Sequence, residues 1–174
     1  MLLLPPILSD ESASVMAEGI TALRAKVGLE VLPENPPGHL YIGDLHLLDF
    51  FARVCERADT GMLLDVAHLA LYQRCMGLSA LDGLADFPLE RVIEVHVAGA
   101  SLLDVGGLEV VEDNHTVEVL PETWEILEWI APRTPNLRAV VFECERNPMP
   151  ECLPGFERIW ESLAGTPFGR RAAQ

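Results

Sequence analysis

Short apolar runs alternate along this chain with stretches of helical periodicity, and this alternation constrains the fold more than any other feature. The runs at 27–32, 60–66, 92–97 and 138–143 are almost continuously apolar, which is typical of parallel strands covered on both faces. Strands that alternate with helices indicate an α/β fold with a parallel sheet. Four such strands are enough for a small doubly wound sheet or for half of an eight-stranded barrel, and both remain open at this point.

Helices are predicted between these runs from capping residues and apolar spacing. Ser9 or Asp10 is placed to cap a first helix that ends at Gly28, and Asp44 is placed to cap a second. Further helices are predicted at 79–85, 122–130 and 155–164. The apolar residues of the first predicted helix fall on one face: Met16, Ile20 and Leu23. Those of the last predicted helix are expected to point inward: Phe156, Ile159, Trp160 and Leu163.

Length and charge limit the class of protein. The 174 residues, 49% of them hydrophobic, can bury a core, and residues 1–174 are expected to form a single domain. Lysine and arginine total 12 against 27 acidic residues, a net charge of −15, and no basic stripe interrupts the excess. Nucleic-acid binding is therefore not expected, because contacts to phosphates need clustered Lys and Arg. Most of the carboxylates are expected to form a solvated surface.

The cysteines and the N-terminus bear on localisation. The cysteines form no CxxC pair, so neither a zinc ribbon nor a disulfide scaffold is indicated and a reducing cytoplasm is expected. The apolar opening at 1–8 lacks a positive segment and is broken by Pro5 and Pro6, unlike a signal peptide. No apolar run reaches the length of about 18 residues that a membrane-spanning helix needs. We therefore expect a cytoplasmic protein that does not contact a membrane.

A polar residue able to bind metal stands at or near the end of each strand-like run. These are Glu34 just after the first run, Asp65 in LLDVAH, His96 in EVHVAG and Glu143 in VVFECE. Positions 34, 65 and 96 are each 31 residues apart, about the length of one βα unit. Since the C-terminal ends of parallel strands converge on one rim, these side chains are expected to meet there.

Further candidate ligands lie close to these positions. Asp113 and His115 stand two apart in EDNHT, within what is predicted to be an extended loop, and can aim at one ion. His68, three residues beyond Asp65, is either another ligand or an ordinary histidine at a helix start. Mixed carboxylate and imidazole ligands suit iron, manganese or zinc. The sequence therefore predicts an open, catalytic type of metal site.

Other polar residues favour this interpretation or leave it unchanged. Single acidic residues at strand ends are commonly caps or ion-pair partners, but charges inside apolar runs, such as Glu94, are costly to bury unpaired. His39 and His46 are expected to be exposed loop residues. The chain contains no GxSxG, P-loop or GxGxxG motif, so serine-hydrolase, nucleotide-triphosphate and dinucleotide sites lose their usual support.

The order of the segments PENP, LLDVAH, EVHVAG, EDNHT and VFECE resembles that of the multinuclear non-haem iron-dependent oxidative enzymes. The resemblance runs from about residue 2 to residue 163 and implies a TIM barrel related to xylose isomerase. It also implies two or three irons that act with dioxygen on cysteines of ribosomally made precursor peptides, usually with a partner protein that presents the peptide. The iron ligands it implies are Glu34, Asp65, His96, Asp113, His115 and Glu143.

The chain departs from the family pattern in its site and in its length. Ala100 stands where the family has a second histidine, Ala67 and His68 replace a pair of asparagines, and Thr116 replaces a final aspartate. The N-terminal strands of the family, with an early histidine and glutamate, have no counterpart. We therefore expect parallel β/α units that form the C-terminal half of a TIM barrel. Such a half barrel pairs with a second copy, pairs with a separate N-terminal half, or descends from an enzyme that lost catalysis.

Three functional hypotheses follow. The first is an iron-dependent oxidative enzyme, or a subunit of one, that acts on a cysteine-containing peptide or a small thiol. The second is a divalent-metal isomerase or endonuclease-like hydrolase that uses manganese or zinc without redox chemistry. The third is a non-catalytic binding or scaffold subunit that keeps the fold and has lost part of the site.

Overall fold

The computed structural model describes residues 4–172, except for the side chains of residues 108 and 109, and therefore leaves the start of the apolar opening outside its range. Within the described residues, no helix is long and apolar enough to cross a membrane. The helices are α1 Asp10–Val27, α2 Leu47–Ala58, α3 Val66–Met76, α4 Pro121–Ile130, α5 Met149–Leu163 and α6 Pro167–Ala172. The strands are β1 Met62–Asp65, β2 Val92–Ala98, β3 Ala100–Val105, β4 Leu108–Asp113 and β5 Ala139–Glu143.

Strands β1, β2 and β5 form a parallel sheet in which neighbours in space follow the order of the chain. The predicted α/β fold with parallel strands is thus confirmed, and the sheet is open rather than closed into a barrel over the described residues. Register pairs Asp65 with His96 and His96 with Val141, which puts these three residues on one face. On the other face, Leu64 and Val95 are fully buried against the helices. Helices therefore cover one face, whereas the sequence pattern predicted that both would be covered.

The predicted strand at 27–32 does not form. Val27 is the last residue of α1, and Gly28 ends that helix in the left-handed conformation at φ 68°. The extended segment that follows makes a single parallel bridge, between Glu34 and Leu63, and the Leu63 N–H donates to the Pro33 carbonyl at 3.0 Å. Proline has no N–H to continue a ladder, so this segment lies beside β1 without becoming a full strand.

The predicted N-terminal cap is confirmed for helix α1 and wrong for helix α2. The Ser9 hydroxyl accepts from the Ser12 N–H at 3.2 Å, so the predicted cap of α1 is confirmed. Helix α2 begins after His46, whose Nδ1 accepts from the Leu48 N–H at 3.1 Å, so the prediction of Asp44 as the cap is wrong. His46 is also only half-exposed, because its ring packs against a tyrosine, whereas His39 is exposed as expected.

Residues 79–85 form successive turns rather than the predicted helix. The Asp82 N–H donates to the Ser79 carbonyl at 3.2 Å, and Gly83 adopts φ 73°, which no helix allows. Helix α3 lies before this segment. No bounds were predicted for it, but His68 stands in its first turn, as one of the two alternatives for that residue had it. Asp65 caps α3 by accepting from the His68 N–H at 2.7 Å.

The β3–β4 hairpin was also missed, although Gly106 and Gly107, both at positive φ, form its turn. Helix α4 matches the prediction at 122–130. Helix α5 begins at residue 149, six residues earlier than predicted. Its Ile159 and Leu163 are buried as expected. Two predictions of inward-facing residues are wrong, because the structure leaves these side chains 41% and 54% exposed: Phe156 and Trp160. On the apolar face of α1, Ile20 is buried and Leu23 is 48% exposed.

Candidate metal centre

The structure brings together every residue that the sequence singled out as a metal ligand. The side chains gather where β1, β2 and β5 end and where the β3–β4 hairpin returns to the sheet. Their nitrogen and oxygen atoms are linked in a continuous series of separations between 3.1 and 3.9 Å. The residues are Glu34, Asp65, His68, His96, Asp113, His115 and Glu143.

A first group consists of Glu34, Asp65 and His96, whose ligand atoms all lie within 4.8 Å of one another. Asp65 and His96 are adjacent because β1 and β2 pair in parallel, and Glu34 reaches them through its bridge to Leu63. The Asp65 side chain is completely buried, whereas that of Glu34 is 40% exposed. The group therefore combines a fixed, buried carboxylate with one that is open to solvent.

A second group consists of Asp113, His115 and Glu143. The Nε2 atom of His115 lies 3.6 Å from Asp113 Oδ1 and 3.7 Å from Glu143 Oε2. His115 adopts φ 54°, and the Asn147 side chain holds it there by donating to the His115 carbonyl at 2.7 Å. Glu143 also lies 3.4 Å from His96 Nδ1, measured at Oε1. Glu143 therefore contacts a histidine of each group.

His68 is buried between the two groups and contacts carboxylates of both. Its Nδ1 donates to the Asn35 carbonyl at 2.9 Å, and its Nε2 lies 3.1 Å from Asp113 Oδ2. Burial alone would lower the pKa of His68, but the hydrogen bond to Asp113 and the charge of Asp65 raise it to about 9. Burial would likewise raise the pKa of Asp113, yet the hydrogen bond and charge of His68 hold it below its usual range.

Asp65 is held by its backbone as well as by its side chain. Its N–H donates to Asn35 Oδ1 at 2.9 Å, and its carbonyl accepts from Asn35 Nδ2 at 2.8 Å. Oδ1 is occupied as the cap of α3. Burial raises the pKa of this carboxyl to about 6, although the neighbouring His68 opposes the rise. These contacts thus keep a buried carboxylate in one orientation, although burial disfavours its ionised form.

Three buried polar atoms in the cluster have no hydrogen-bond partner: Asp65 Oδ2, His96 Nδ1 and Asp113 Oδ1. Such atoms are rare in folded proteins because each one costs free energy when it is left unsatisfied. All three belong to predicted ligands, and carboxylate oxygens and imidazole nitrogens are atom types that bind cations. Carboxylate oxygens and imidazole nitrogens form the donor set of iron, manganese and zinc. The residues present therefore fit a metal ion.

Sequence reasoning did not assign a role to two carboxylates that contact the histidines. Glu94 Oε1 lies 3.1 Å from His96 Nε2, and Glu145 Oε1 lies 2.9 Å from His115 Nδ1. A hydrogen bond from its own backbone and the contact with His115 lower the pKa of Glu145. Glu94 was detectable, since residues two apart on a strand share a face, whereas Glu145 lies in a loop whose course the sequence does not show.

Residues 2–161 match the sequence model of a family described as RiPP precursor modification enzyme MbnB/TglH/ChrH. The UPF0276 protein RB0508 of Rhizobium meliloti is 31% identical over 130 residues, covering 72% of this chain and 42% of its own length. The UPF0276 protein NMB2142 of Neisseria meningitidis serogroup B is 28% identical, covering 83% and 52%. A UPF0276 protein of N. meningitidis serogroup C is also 28% identical, covering 98% and 62%. The chain thus spans about half the length of the curated relatives it matches.

Proposed function

Because the chain belongs to the multinuclear non-haem iron-dependent oxidative enzymes, the family whose model matches it, we propose that it modifies a cysteine-containing precursor peptide, alone or as a subunit. The resemblance drawn from its motifs is thereby confirmed. The observation that best supports a metal-dependent reaction is the set of three unpartnered buried donor atoms at the strand ends. The small thiol named as an alternative substrate would present the same sulfur chemistry.

Iron is the cofactor we propose, with two or three ions in a complete site and manganese or zinc as the alternatives. Glu34, Asp65 and His96 would hold one ion, and Asp113 and His115 another, with Glu143 shared between them. Iron, when bound, would supply the redox chemistry that couples dioxygen to a substrate sulfur.

The remaining contribution of this chain is to orient donors and to balance charge. Asn35 fixes the Asp65 backbone through two hydrogen bonds, and the His68 N–H holds Asp65 Oδ1, so the unpartnered Oδ2 keeps one direction. His68 holds a proton at Nε2 toward Asp113, and this positive charge offsets part of the acidic cluster. His68 becomes a ligand only if that proton is displaced. No side chain in the described part of the chain is placed as an obvious general base.

We also propose that the open sheet is an arc of a TIM-type barrel and that residues 1–174 form this single unit. Sequential parallel strands with helices on one face are the arrangement of β/α units in such a barrel. Beside β5, Val141 on the uncovered face and Phe156 and Trp160 of α5 are exposed. An uncovered strand edge favours association. A second polypeptide, either another copy or a complementary N-terminal half, would close the arc.

The mass in solution tests this closure. If a second copy closes the arc, the particle should have twice the 19.1 kDa mass of the chain. Trp160→Glu should then dissociate this dimer into single chains. A complementary half predicts a 19.1 kDa particle that gains mass only when that polypeptide is added. A single chain that binds iron and modifies peptide without any partner would contradict the proposal of closure.

The oxidative reaction is tested with a cysteine-containing precursor peptide and with iron-loaded protein. Mass spectrometry should show a changed peptide in air and an unchanged one without dioxygen. A reaction that proceeds equally under nitrogen would instead favour a divalent-metal isomerase or hydrolase. His39→Ala serves as a control for His96→Ala, because His39 is an exposed histidine outside the cluster.

A non-catalytic scaffold is the second candidate function, and the replacement of a family histidine by Ala100 favours it. This position lies at the start of β3, next to the cluster, and its buried methyl group offers no donor atom. A protein that binds iron and the peptide but leaves the peptide mass unchanged in air, with its partner present, would support this candidate over the enzyme.

A further inference from the structure

We propose that Glu94 and Glu145 are positioning residues that fix which ring nitrogen of His96 and of His115 faces the metal, an inference that rests on the proposed metal site. A neutral imidazole carries one proton, and a carboxylate that accepts this proton at one nitrogen leaves the lone pair of the other for a metal. The two histidines are held in opposite senses, so the proposal makes a separate statement about each ring.

In His96, the structure assigns the proton to Nε2 and the lone pair to Nδ1. Glu94 and His96 stand two apart on β2 and share one face of the sheet, which brings Glu94 Oε1 to 3.1 Å from Nε2. The opposite nitrogen, Nδ1, is buried and has no hydrogen-bond partner. It lies 3.4 Å from Glu143 Oε1 and 3.9 Å from Glu34 Oε1. The nitrogen to which we assign the lone pair therefore lies beside two other candidate ligands.

In His115, the assignment is reversed. Glu145 Oε1 lies 2.9 Å from Nδ1, so the proton belongs on that nitrogen. The Nε2 atom lies 3.6 Å from Asp113 Oδ1 and 3.7 Å from Glu143 Oε2. The backbone of His115 is fixed on both sides, because its N–H donates to the Gly99 carbonyl and its carbonyl accepts from a side chain. The contact with Glu145 therefore fixes the orientation of the ring on this backbone.

Neither positioning carboxylate is itself buried in the cluster. The side chains of Glu94 and Glu145 are 31% and 61% exposed, against complete burial for Asp65. Replacing either one by glutamine therefore leaves the core intact and removes the negative charge that favours the assigned ring proton. Loss of such a partner typically weakens metal binding about 10- to 100-fold.

The test uses Zn²⁺, which is diamagnetic, with protein labelled with ¹⁵N at histidine. Two-bond ¹H–¹⁵N correlation spectra of the zinc-loaded wild type should show metal at Nδ1 of His96 and at Nε2 of His115. Zinc Kd values from competition with a chelator should rise about 10- to 100-fold in E94Q and in E145Q. Glu11→Gln, an exposed glutamate in the first turn of α1, should leave both the spectra and the Kd unchanged.

The outcomes separate this inference from the metal proposal. Zinc bound through the opposite nitrogen of either ring, or unchanged Kd values in both variants, would overturn the positioning role while leaving the metal site standing. A wild type that binds no zinc would overturn the metal site itself. In that case the metal-free spectra still report the ring protons, and a proton at Nδ1 of His96 would independently overturn the assignment.

Discussion

Replacing Asp65 by asparagine should stabilise the metal-free chain and weaken its metal complex, and the size of the first effect follows from burial. The side chain is fully buried, and burial raises its pKa from 3.8 to about 6. Each pKa unit is worth about 1.4 kcal/mol, so the ionised carboxylate lowers the free energy of unfolding by about 3 kcal/mol above pH 6. Asparagine keeps an oxygen to cap α3 and carries no charge.

The pH dependence gives this prediction its sign. Because the folded state binds the Asp65 proton more tightly than the unfolded state, this group makes the wild type lose stability as pH rises from 3.8 to about 6. The advantage of Asp65→Asn should therefore approach about 3 kcal/mol at pH 8, fall to about half of that at pH 5, and vanish below pH 3.8.

Urea denaturation with a chelator present, at pH 5 and at pH 8, measures the difference directly. The control is Asp49→Asn, an exposed aspartate in the first turn of α2, which should change stability by less than about 0.5 kcal/mol at either pH. With metal in excess the order should reverse, because the wild type gains the free energy of binding. A variant that is less stable than the wild type at pH 8 without metal would refute the reasoning.

Other substitutions test the local architecture. Gly99→Ala would place a methyl group 2.0 Å from the Thr116 carbonyl oxygen, so it should cost about 1–3 kcal/mol in urea denaturation and weaken zinc binding at the adjoining His115. The control is Gly19→Ala in helix α1, where the added methyl group would meet no atom within 4 Å, so this change should raise stability by about 0.5–1 kcal/mol. Equal effects of the two substitutions on stability would contradict the close contact at Gly99. Ser9→Ala should lower stability by about 1 kcal/mol through loss of the α1 cap, and an unchanged unfolding midpoint would count against that hydrogen bond.

The strand ends could be predicted from the sequence because polar residues inside apolar runs are conspicuous and recur at the spacing of a βα unit. This spacing placed Asp65 and His96 side by side, as the parallel pairing shows. The same regularity suggested a strand at 27–32, but Gly28 and Pro33 break the backbone pattern that a full strand needs. The backbone conformations of glycine and proline therefore prevent a strand at 27–32, although the spacing of the polar residues suggests one.

Other elements were missed because their sequence pattern carries little information on what covers them. Helix α3 is buried all round from Val66 to Gln73, so it lacks the polar face that marks a surface helix. Its first residue, Val66, is also the last residue of the strand-like run at 60–66. The periodicity of α5 identified Phe156 and Trp160 as one apolar face correctly, but periodicity does not reveal whether a neighbour lies against that face.

The metal content of the purified chain tests the central claim most directly. Elemental analysis after anaerobic loading with Fe²⁺ should show at least one tightly bound ion per closed unit in the wild type. The bound ion should be lost in Asp65→Ala and in His96→Ala, while His39→Ala and Asp49→Ala retain it. No bound iron, manganese or zinc in the wild type, or equal binding in all variants, would contradict the account of the strand-end cluster as a metal centre.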